Sequence, residues 1–256
     1  MPFKNKKHLL HLVPHGINSD VFRPLSSTEK LIKDKKKQLF GDKQYDFVLF
    51  YNSRNVQRKK TSNAVLAFRA FCDNLTPEQA AKCVFVLHTE KVQDAGTDLP
   101  EVIKALCPNY DVVFVENKIS PEEMCAMYNI ADVTILISSN EGFGLSIAES
   151  IMCGTPIITT VTGGLQDQIG QVDDNGKQFE FTLEFGTNSV GKYKNHGVWA
   201  KPIWPAVKTI QGSVPTPYIF DDVCTWEESA EAIMYWYLMT PEQREKCGLE
   251  GRRWAM

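Results

Sequence analysis

Five short apolar runs constrain the fold of this chain more than any other feature of its sequence. They cover residues 45–51, 84–88, 111–115, 133–137 and 156–159. Short runs rich in valine and isoleucine are typical of strands that are buried on both faces of a parallel sheet. Helical periodicity lies between the runs, so the alternation predicts an α/β fold with a doubly wound, Rossmann-like parallel sheet.

The helix starts are marked by capping residues. Thr76, Ser120 and Thr240 are each followed by Pro-Glu and then by an acid or an amide, and Thr225 begins a further capping box. A capping hydroxyl accepts from a backbone N–H, and proline fits the first helical position. This rhythm breaks after residue 170. We predict an irregular insertion over residues 170–221, with room for a small hairpin.

Composition limits the partners and the compartment. The net charge of −3 argues against a nucleic-acid partner. The seven cysteines show no C-x-x-C spacing, which argues against a zinc site and favours a reducing, cytoplasmic location. We read His8, His11 and His15 as ordinary histidines rather than metal ligands. Two interpretations stay open for three of the tryptophans, Trp199, Trp204 and Trp226. They could stack on a sugar or pack beneath the insertion, and packing is favoured.

Residues 138–160 read SSNEGFGLSIAESIMCGTPIITT and join a predicted strand to a predicted helix. Glycines in the turn let the backbone approach a ligand closely. The helix start near Leu145 offers unpaired N–H groups and a positive dipole end. In an open α/β sheet, ligands bind where such turns lie, at the carboxyl ends of the strands. The stretch therefore predicts a site for a phosphate group.

Two carboxylates flank this predicted phosphate site, Glu141 on the turn and Glu149 one helical turn beyond Leu145. Because a carboxylate repels phosphate, each is expected to accept hydrogen bonds from hydroxyls instead. A nucleoside-diphosphate sugar carries hydroxyls on both sides of its phosphates. Arg54 and Lys59 follow the run 45–51, so they too fall at the carboxyl end of a strand, where they could hold phosphate.

The glutamate pair within EGFGLSIAESIMCGTPII resembles the E-x7-E motif of retaining GT-B glycosyltransferases, specifically family 4. Four further segments, in the same order, resemble that family's C-terminal, donor-binding domain: PHGINSDVFRP, NSRNVQRKK, VVFVENKISPEEMCAMYNIADVTILISS and TGGLQDQI. This chain departs from the family at three places. Ser53 and Lys60 stand where the family has glycines, and Gln166-Asp167 alters an acidic position.

The resemblance implies a role for each matching residue. Arg54 and Lys59 would hold the diphosphate, Glu149 would bind the ribose, and Glu141 would contact hydroxyls of the donor sugar. Glu141, Arg54 and Lys59 would thus be the catalytic residues. The remaining donor-binding residues fall into three groups. The sugar and the phosphates would be lined by the backbone of Gly142, Phe143, Gly144 and Leu145. The base would be bordered by Glu116, Asn117, Lys118 and Ile119, and the first matching segment contributes Gly16. No metal is expected.

The resemblance also implies a domain plan. Residues 1–13 would be a leader or the remnant of an interdomain strand, and residues 14–256 the nucleotide-sugar-binding half of a GT-B fold. The N-terminal acceptor domain would be absent, so we infer a fragment. Its expected partners are a UDP- or GDP-linked sugar and the missing domain. We expect peripheral membrane association only through that missing domain, and possible self-association through the face it leaves exposed.

The function implied is transfer of a sugar from a nucleoside-diphosphate sugar to an unknown acceptor, with retention of configuration. Two alternatives stay open: an isolated module that binds nucleotide sugars without turnover, and a GT-B epimerase of nucleotide sugars. A module without the acceptor wall would lack the interdomain closure that excludes water. An NAD-dependent dehydrogenase is disfavoured, because no G-x-G-x-x-G opens an early strand-to-helix turn.

Overall fold

The computed structural model describes residues 15–178, 195–212 and 214–256. Six parallel strands form one sheet in the order β3-β2-β1-β4-β5-β6, and this doubly wound arrangement confirms the predicted fold class. The strands are β1 (Phe47–Asn52), β2 (Cys83–His88), β3 (Asp111–Val115), β4 (Val133–Leu136), β5 (Ile157–Thr160) and β6 (Ala200–Ile203).

Helices cover both faces of the sheet. Capping boxes at Thr76, Ser120 and Thr240 are confirmed, and the Thr225 hydroxyl caps its helix by accepting from the N–H of Glu228. No helix within the described residues is both long and apolar enough to cross a bilayer. The helices are α1 (Lys30–Phe40), α2 (Thr61–Cys72), α3 (Pro77–Ala80), α4 (Leu99–Leu106), α5 (Pro121–Ile130), α6 (Leu145–Met152), α7 (Trp226–Tyr237) and α8 (Pro241–Ala255).

The prediction of an irregular insertion over 170–221 is wrong in one respect. Strand β6 lies inside it and pairs in parallel with β5 as the last strand of the main sheet. Pro202 made this strand hard to recognise in the sequence, because proline has no backbone N–H to donate. An edge strand tolerates proline, since only one of its two sides pairs with a neighbouring strand. The hairpin is present, since β7 (Val207–Gln211) pairs antiparallel with β8 (Ile219–Val223). Residues 179–194 of the predicted insertion lie outside the described part of the chain.

Strand β1 shows why this sequence folds into layers. Its alternate side chains point to opposite faces, so Phe47, Leu49 and Tyr51 join one core and Val48 and Phe50 join the other. The first core is closed mainly by α2 and α7, and the second by α1 and α5. Both faces of the central strands are therefore buried, as the continuous apolar runs predict.

The three tryptophans considered above differ in how deeply they are buried. Trp199 is buried and donates its indole N–H to the backbone oxygen of Gln168, so it packs as favoured. Trp204 is partly buried against the same core, whereas Trp226 is exposed at the first position of α7. All seven cysteines are free thiols. Two of the three tryptophans, Trp199 and Trp204, therefore pack against the core.

The strand order reverses between β1 and β4, and the segments that follow these two strands lie against each other. The backbone N–H of Ser139, after β4, donates to the backbone oxygen of Arg58, after β1, at 2.8 Å. The Ser139 hydroxyl donates to the same oxygen at 3.2 Å. In doubly wound sheets this reversal opens a crevice at the carboxyl ends of the strands, which is where ligands bind.

Candidate functional site

A cleft of about 600 Å³ lies at this reversal point. Its walls come from the segments after β1, β2 and β3, the turn after β4, the start of α6, and His15. Most of the residues predicted for the site line this cleft together: Arg54, Lys59, Glu116, Lys118, Glu141, Phe143, Gly144, Leu145 and Glu149. The sheet thus brings residues from distant parts of the sequence to one place.

Other predicted residues lie elsewhere. Gly16 and Gly142 line a second cleft of about 880 Å³, which also borders α8 near Trp254. Asn117 and Ile119 line neither cleft. The ring of His15, which borders both clefts, lies against Phe143 with ring centroids 5.0 Å apart.

Glu141 is buried beside two cations. Its side chain is 7% exposed, its Oε1 lies 3.1 Å from an Arg58 guanidinium nitrogen, and it also pairs with the Lys59 ammonium. Burial alone would raise the pKa of Glu141, but the hydrogen bond from Lys59 and its charge hold that pKa below its ordinary value. Glu141 is therefore ionised at neutral pH. Arg58 was not predicted from the sequence, although it stands in the same basic run as Lys59.

Arg54 sits on an anchored loop but is itself exposed in the cleft. The anchor is Asn55, which is 1% exposed. Its backbone N–H donates to Glu90 Oε2 at 2.9 Å, and its side-chain amide donates to the backbone oxygen of Thr97 at 2.7 Å. No carboxylate of the described residues forms an ion pair with Arg54. A cation held this way is available to an anionic ligand.

Lys60 directly follows this loop and has φ 53°, the only positive φ of a non-glycine residue in the described ranges. It stands where the family has glycine, which adopts this left-handed region without steric cost. A residue with a Cβ is strained there by roughly 1–2 kcal/mol. The backbone turn is thus kept while the residue that fits it best is replaced.

Glu149 belongs to a chain of hydrogen-bonded side chains. Tyr128 on α5 donates its hydroxyl to Glu149 Oε2 at 2.7 Å, and Asn52 donates its amide to the Tyr128 hydroxyl at 2.8 Å. Asn52 Oδ1 lies 2.7 Å from His88 Nδ1. Burial raises the pKa of Glu149, and the bond from Tyr128 offsets part of that rise.

The start of α6 is shaped by glycines. Gly144 caps the helix with φ 91°, and a Cβ there would overlap the side chain of Leu165. Gly163 and Gly164 lie directly under the turn, where a Cβ would overlap the backbone oxygens of Glu141 and Gly142. The backbone N–H of Gly164 donates to the Glu141 oxygen at 3.0 Å. The TGGLQDQI loop therefore supports the Glu141 turn through close backbone contact.

Sequence reasoning missed several residues of the cleft, among them Asn52, His88 and Glu90. They end or follow β1 and β2, and the rule that ligands meet the carboxyl ends of strands could have found them. Among the described residues, no three or more His, Cys, Asp or Glu side chains are grouped to hold a metal ion. His8 and His11 lie outside the described ranges.

Comparison with solved structures defines the class of fold. The C-terminal domain of the glycosyl transferase group 1 family protein LpcC from Francisella tularensis superposes with a TM-score of 0.61 and 17% identity, covering 93% of this chain and 95% of that one. Anabaena HepE, solved with UDP and glucose, gives a TM-score of 0.64 and 17% identity over 98% of this chain and 53% of its own. The fold is that of a C-terminal GT-B glycosyltransferase domain.

The sequence comparison gives the family. The family model for glycosyl transferases group 1 matches residues 32–181, more than half of the chain, and the chain belongs to that family. A D-inositol 3-phosphate glycosyltransferase of Thermomonospora curvata is 27% identical over 161 residues, 62% of this chain and 37% of that protein. Its counterpart in Thermobispora bispora is 29% identical over 161 residues, 62% of this chain and 36% of its own. The chain thus spans little more than a third of the length of these curated relatives.

Proposed function

We propose that this chain is the donor-binding domain of a retaining, family 4 glycosyltransferase, and that its 600 Å³ cleft binds a nucleoside-diphosphate sugar. One observation carries the proposal: Arg54, Lys59, Glu141, Glu149 and the N-terminus of α6 meet in one cleft at the reversal of strand order. Such a set matches a ligand with phosphates in its middle and hydroxyls at both ends.

In this proposal the diphosphate lies between Arg54, Lys59 and the start of α6. Arginine can bind phosphate oxygens through two N–H groups at once, and lysine acts as a point charge. The backbone N–H groups of Leu145 and Ser146 add the positive end of the helix dipole. These groups supply positive charge for the phosphates without a divalent metal.

Glu149 and Glu141 bind the two hydroxyl-bearing ends. Glu149 accepts from the ribose, and Glu141 accepts from the donor sugar. HepE, whose fold is similar, was solved with UDP and glucose and also with UDP-glucose, which supports a uridine nucleotide as the first ligand to test. We place the acceptor site outside this domain, because the matched stretch covers only 37% of a curated relative.

Catalysis follows from charge rather than from a covalent intermediate. As the bond between sugar and phosphate breaks, negative charge builds on the leaving diphosphate, and Arg54, Lys59 and the α6 N-terminus stabilise it. Glu141 already accepts a hydrogen bond from Lys59 and forms an ion pair with Arg58. A carboxylate engaged in this way is suited to orienting a sugar hydroxyl and is a poor nucleophile.

Calorimetric titration with UDP-, GDP- and ADP-glucose tests the proposal. We expect one base to bind more tightly than the others, and Arg54→Ala and Glu149→Ala each to weaken that binding by roughly 10- to 100-fold, the range for a hydrogen bond to a charged group. Arg253→Ala and Glu101→Ala are matched controls, because both residues lie on exposed helix surfaces away from the cleft.

Two results would contradict the proposal. A folded chain that binds none of the three nucleotide sugars would remove the donor site. Equal weakening by the control variants would show that the effect comes from charge in general. Product analysis with UDP-glucose separates the remaining functions: release or transfer of sugar indicates an enzyme, a changed sugar configuration indicates an epimerase, and binding alone indicates a binding module.

A further inference from the structure

The side chains of His88, Asn52, Tyr128 and Glu149 form one hydrogen-bonded chain, named here the polar chain. It crosses four elements, since Asn52 ends β1, His88 ends β2, Tyr128 lies on α5 and Glu149 on α6. Asn52 and His88 are also register partners in the sheet. Tyr128 is fully buried, and its ring packs on Phe50 with centroids 5.3 Å apart. Its hydroxyl therefore has a fixed position.

The direction of donation along the polar chain is set at its Glu149 end. An ionised carboxylate can only accept, so the Tyr128 hydroxyl must donate to Glu149. That hydroxyl then accepts from Asn52, which must present its NH₂ group to Tyr128 and its oxygen to His88. His88 must in turn carry its proton on Nδ1. One ionised group thus fixes the orientation of an amide and the tautomer of an imidazole.

The other end of the polar chain is His88, which lines the cleft, as do Glu116 and Lys118 in the segment after β3. Successive hydrogen bonds of the same direction polarise one another, so the chain acts as a unit rather than as independent contacts. The polar chain therefore runs from Glu149 on α6 to His88 at the end of β2.

We propose that Tyr128, Asn52 and His88 are positioning residues that hold Glu149 as a carboxylate aimed into the cleft. This inference rests on the proposed function, in which Glu149 accepts from the ribose. The three residues act through Glu149 and do not themselves react. None of the three was predicted from the sequence to belong to the site.

Tyr128→Phe is the sharpest test, because it removes only the hydroxyl and keeps the ring that packs on Phe50. We expect affinity for UDP to fall about 10-fold, the loss of one hydrogen bond to a charged group. Affinity for pyrophosphate, which has no ribose, should stay within about 2-fold, whereas general damage to the fold would weaken both ligands. Tyr45→Phe is a matched control, since Tyr45 donates to Asp111 at 2.9 Å outside the cleft.

Asn52→Asp is the second variant and has the same shape. Aspartate cannot donate to Tyr128, so the hydroxyl would turn toward it and release Glu149. We expect a UDP loss at least as large as that of Tyr128→Phe. Wild-type affinity for UDP in both variants would overturn the positioning role.

Nitrogen-15 NMR of His88 gives a readout that needs no ligand. We expect the Nδ1–H tautomer in the unmodified chain and loss of that preference in Tyr128→Phe. A wild-type Nε2–H tautomer would overturn the polar chain even if UDP binds. Conversely, the expected tautomer in a folded chain that binds no UDP would reject the proposed function and leave Glu149 with another ligand.

Discussion

Both ends of strand β4 carry a carboxylate paired with basic side chains, yet their surroundings differ. At the amino end, Asp132 accepts from Arg244 Nη2 at 2.7 Å and from the backbone N–H of Val48 at 2.7 Å. At the carboxyl end, Glu141 pairs with Arg58 and Lys59 beside the open cleft. The first carboxylate joins α8 to β1, whereas the second faces space that a ligand can enter.

The comparison shows that burial and pairing alone do not identify a functional carboxylate. Asp132 and Arg244 satisfy each other within packed elements, and Arg244 also lies over the ring of Phe47 at 5.4 Å. Glu141 has two cationic partners, and it lines the cleft together with one of them, Lys59. What separates the two pairs is position, since Glu141 lies at the carboxyl edge of the sheet, where doubly wound folds bind ligands.

The largest expected effect is at the amino end. Asp132→Ala should lower the free energy of unfolding by about 3–5 kcal/mol, because it leaves Arg244 buried without its partner. Urea unfolding measures the loss, and UDP affinity of the folded fraction should be unchanged. Asp34→Ala, which removes the exposed Lys30–Asp34 pair, is the control and should cost under about 1 kcal/mol. Equal losses in both variants would abolish the distinction between the two kinds of pair.

Glu141→Gln should have a smaller effect on stability, about 1 kcal/mol, and should abolish transfer of sugar in the complete enzyme. The pKa of Glu141 is held low by Lys59, against its burial. Its contribution to stability is therefore present above the ordinary pKa of glutamate and lost as pH falls through the folded-state pKa. Unfolding measured across pH should show the variant less stable at pH 7 and converging with wild type in acid. A gap that widens in acid would show that the pairing is misassigned.

Glu149→Gln should change stability in the opposite direction. Burial raises the pKa of Glu149, so its contribution to stability is fully present below the ordinary pKa of glutamate and is lost as pH rises through the folded-state pKa. We expect the variant to gain up to about 1 kcal/mol at pH 7 and little at pH 4, while UDP affinity falls. The same pH series of unfolding curves measures both glutamates. A loss of stability at pH 7 would mean that the bond from Tyr128 outweighs burial.

The smallest expected effect is that of Lys60→Gly. Lys60→Gly should raise the free energy of unfolding by roughly 0.5 kcal/mol, because relief of left-handed strain exceeds the added freedom of glycine in the unfolded chain. Lys60→Val, with a branched Cβ at the same φ, should lower it by about 1 kcal/mol or more. Thermal unfolding of the pair measures the difference. If both variants lose stability equally, the Lys60 side chain itself stabilises the loop.

Much of the fold could be predicted because its signals are local. Strand β3 begins and ends at the predicted residues, and the other four predicted strands are off by no more than two residues at either end. Strand β6 was missed because Pro202 and the adjacent tryptophans hide a four-residue strand whose only evidence is its pairing with β5. Sheet edges depend on a partner far along the chain, and local periodicity carries no information about that partner.

The residues of the cleft, like the strands, were predicted from the sequence only in part. The turn with Glu141, the helix with Glu149 and the loop with Arg54 were found from the sequence, because each combines a strand end with a characteristic set of residues. Arg58 as a partner of Glu141 was not found. The two residues are 83 positions apart, and they meet only because β1 and β4 are neighbours in the sheet.

The sequence by itself determined the parallel sheet, the capped helices and the places where ligand-binding side chains leave the strands, since these depend on apolar period and on capping within a few residues. Tertiary structure decided which of those side chains meet. It paired Lys59 with Glu141 across 82 positions and Tyr128 with Glu149 across 21. It also decided that Asn52 and His88 line the cleft. The reason is that strand order brings distant segments together, and hydrogen bonding and charge then select the partners.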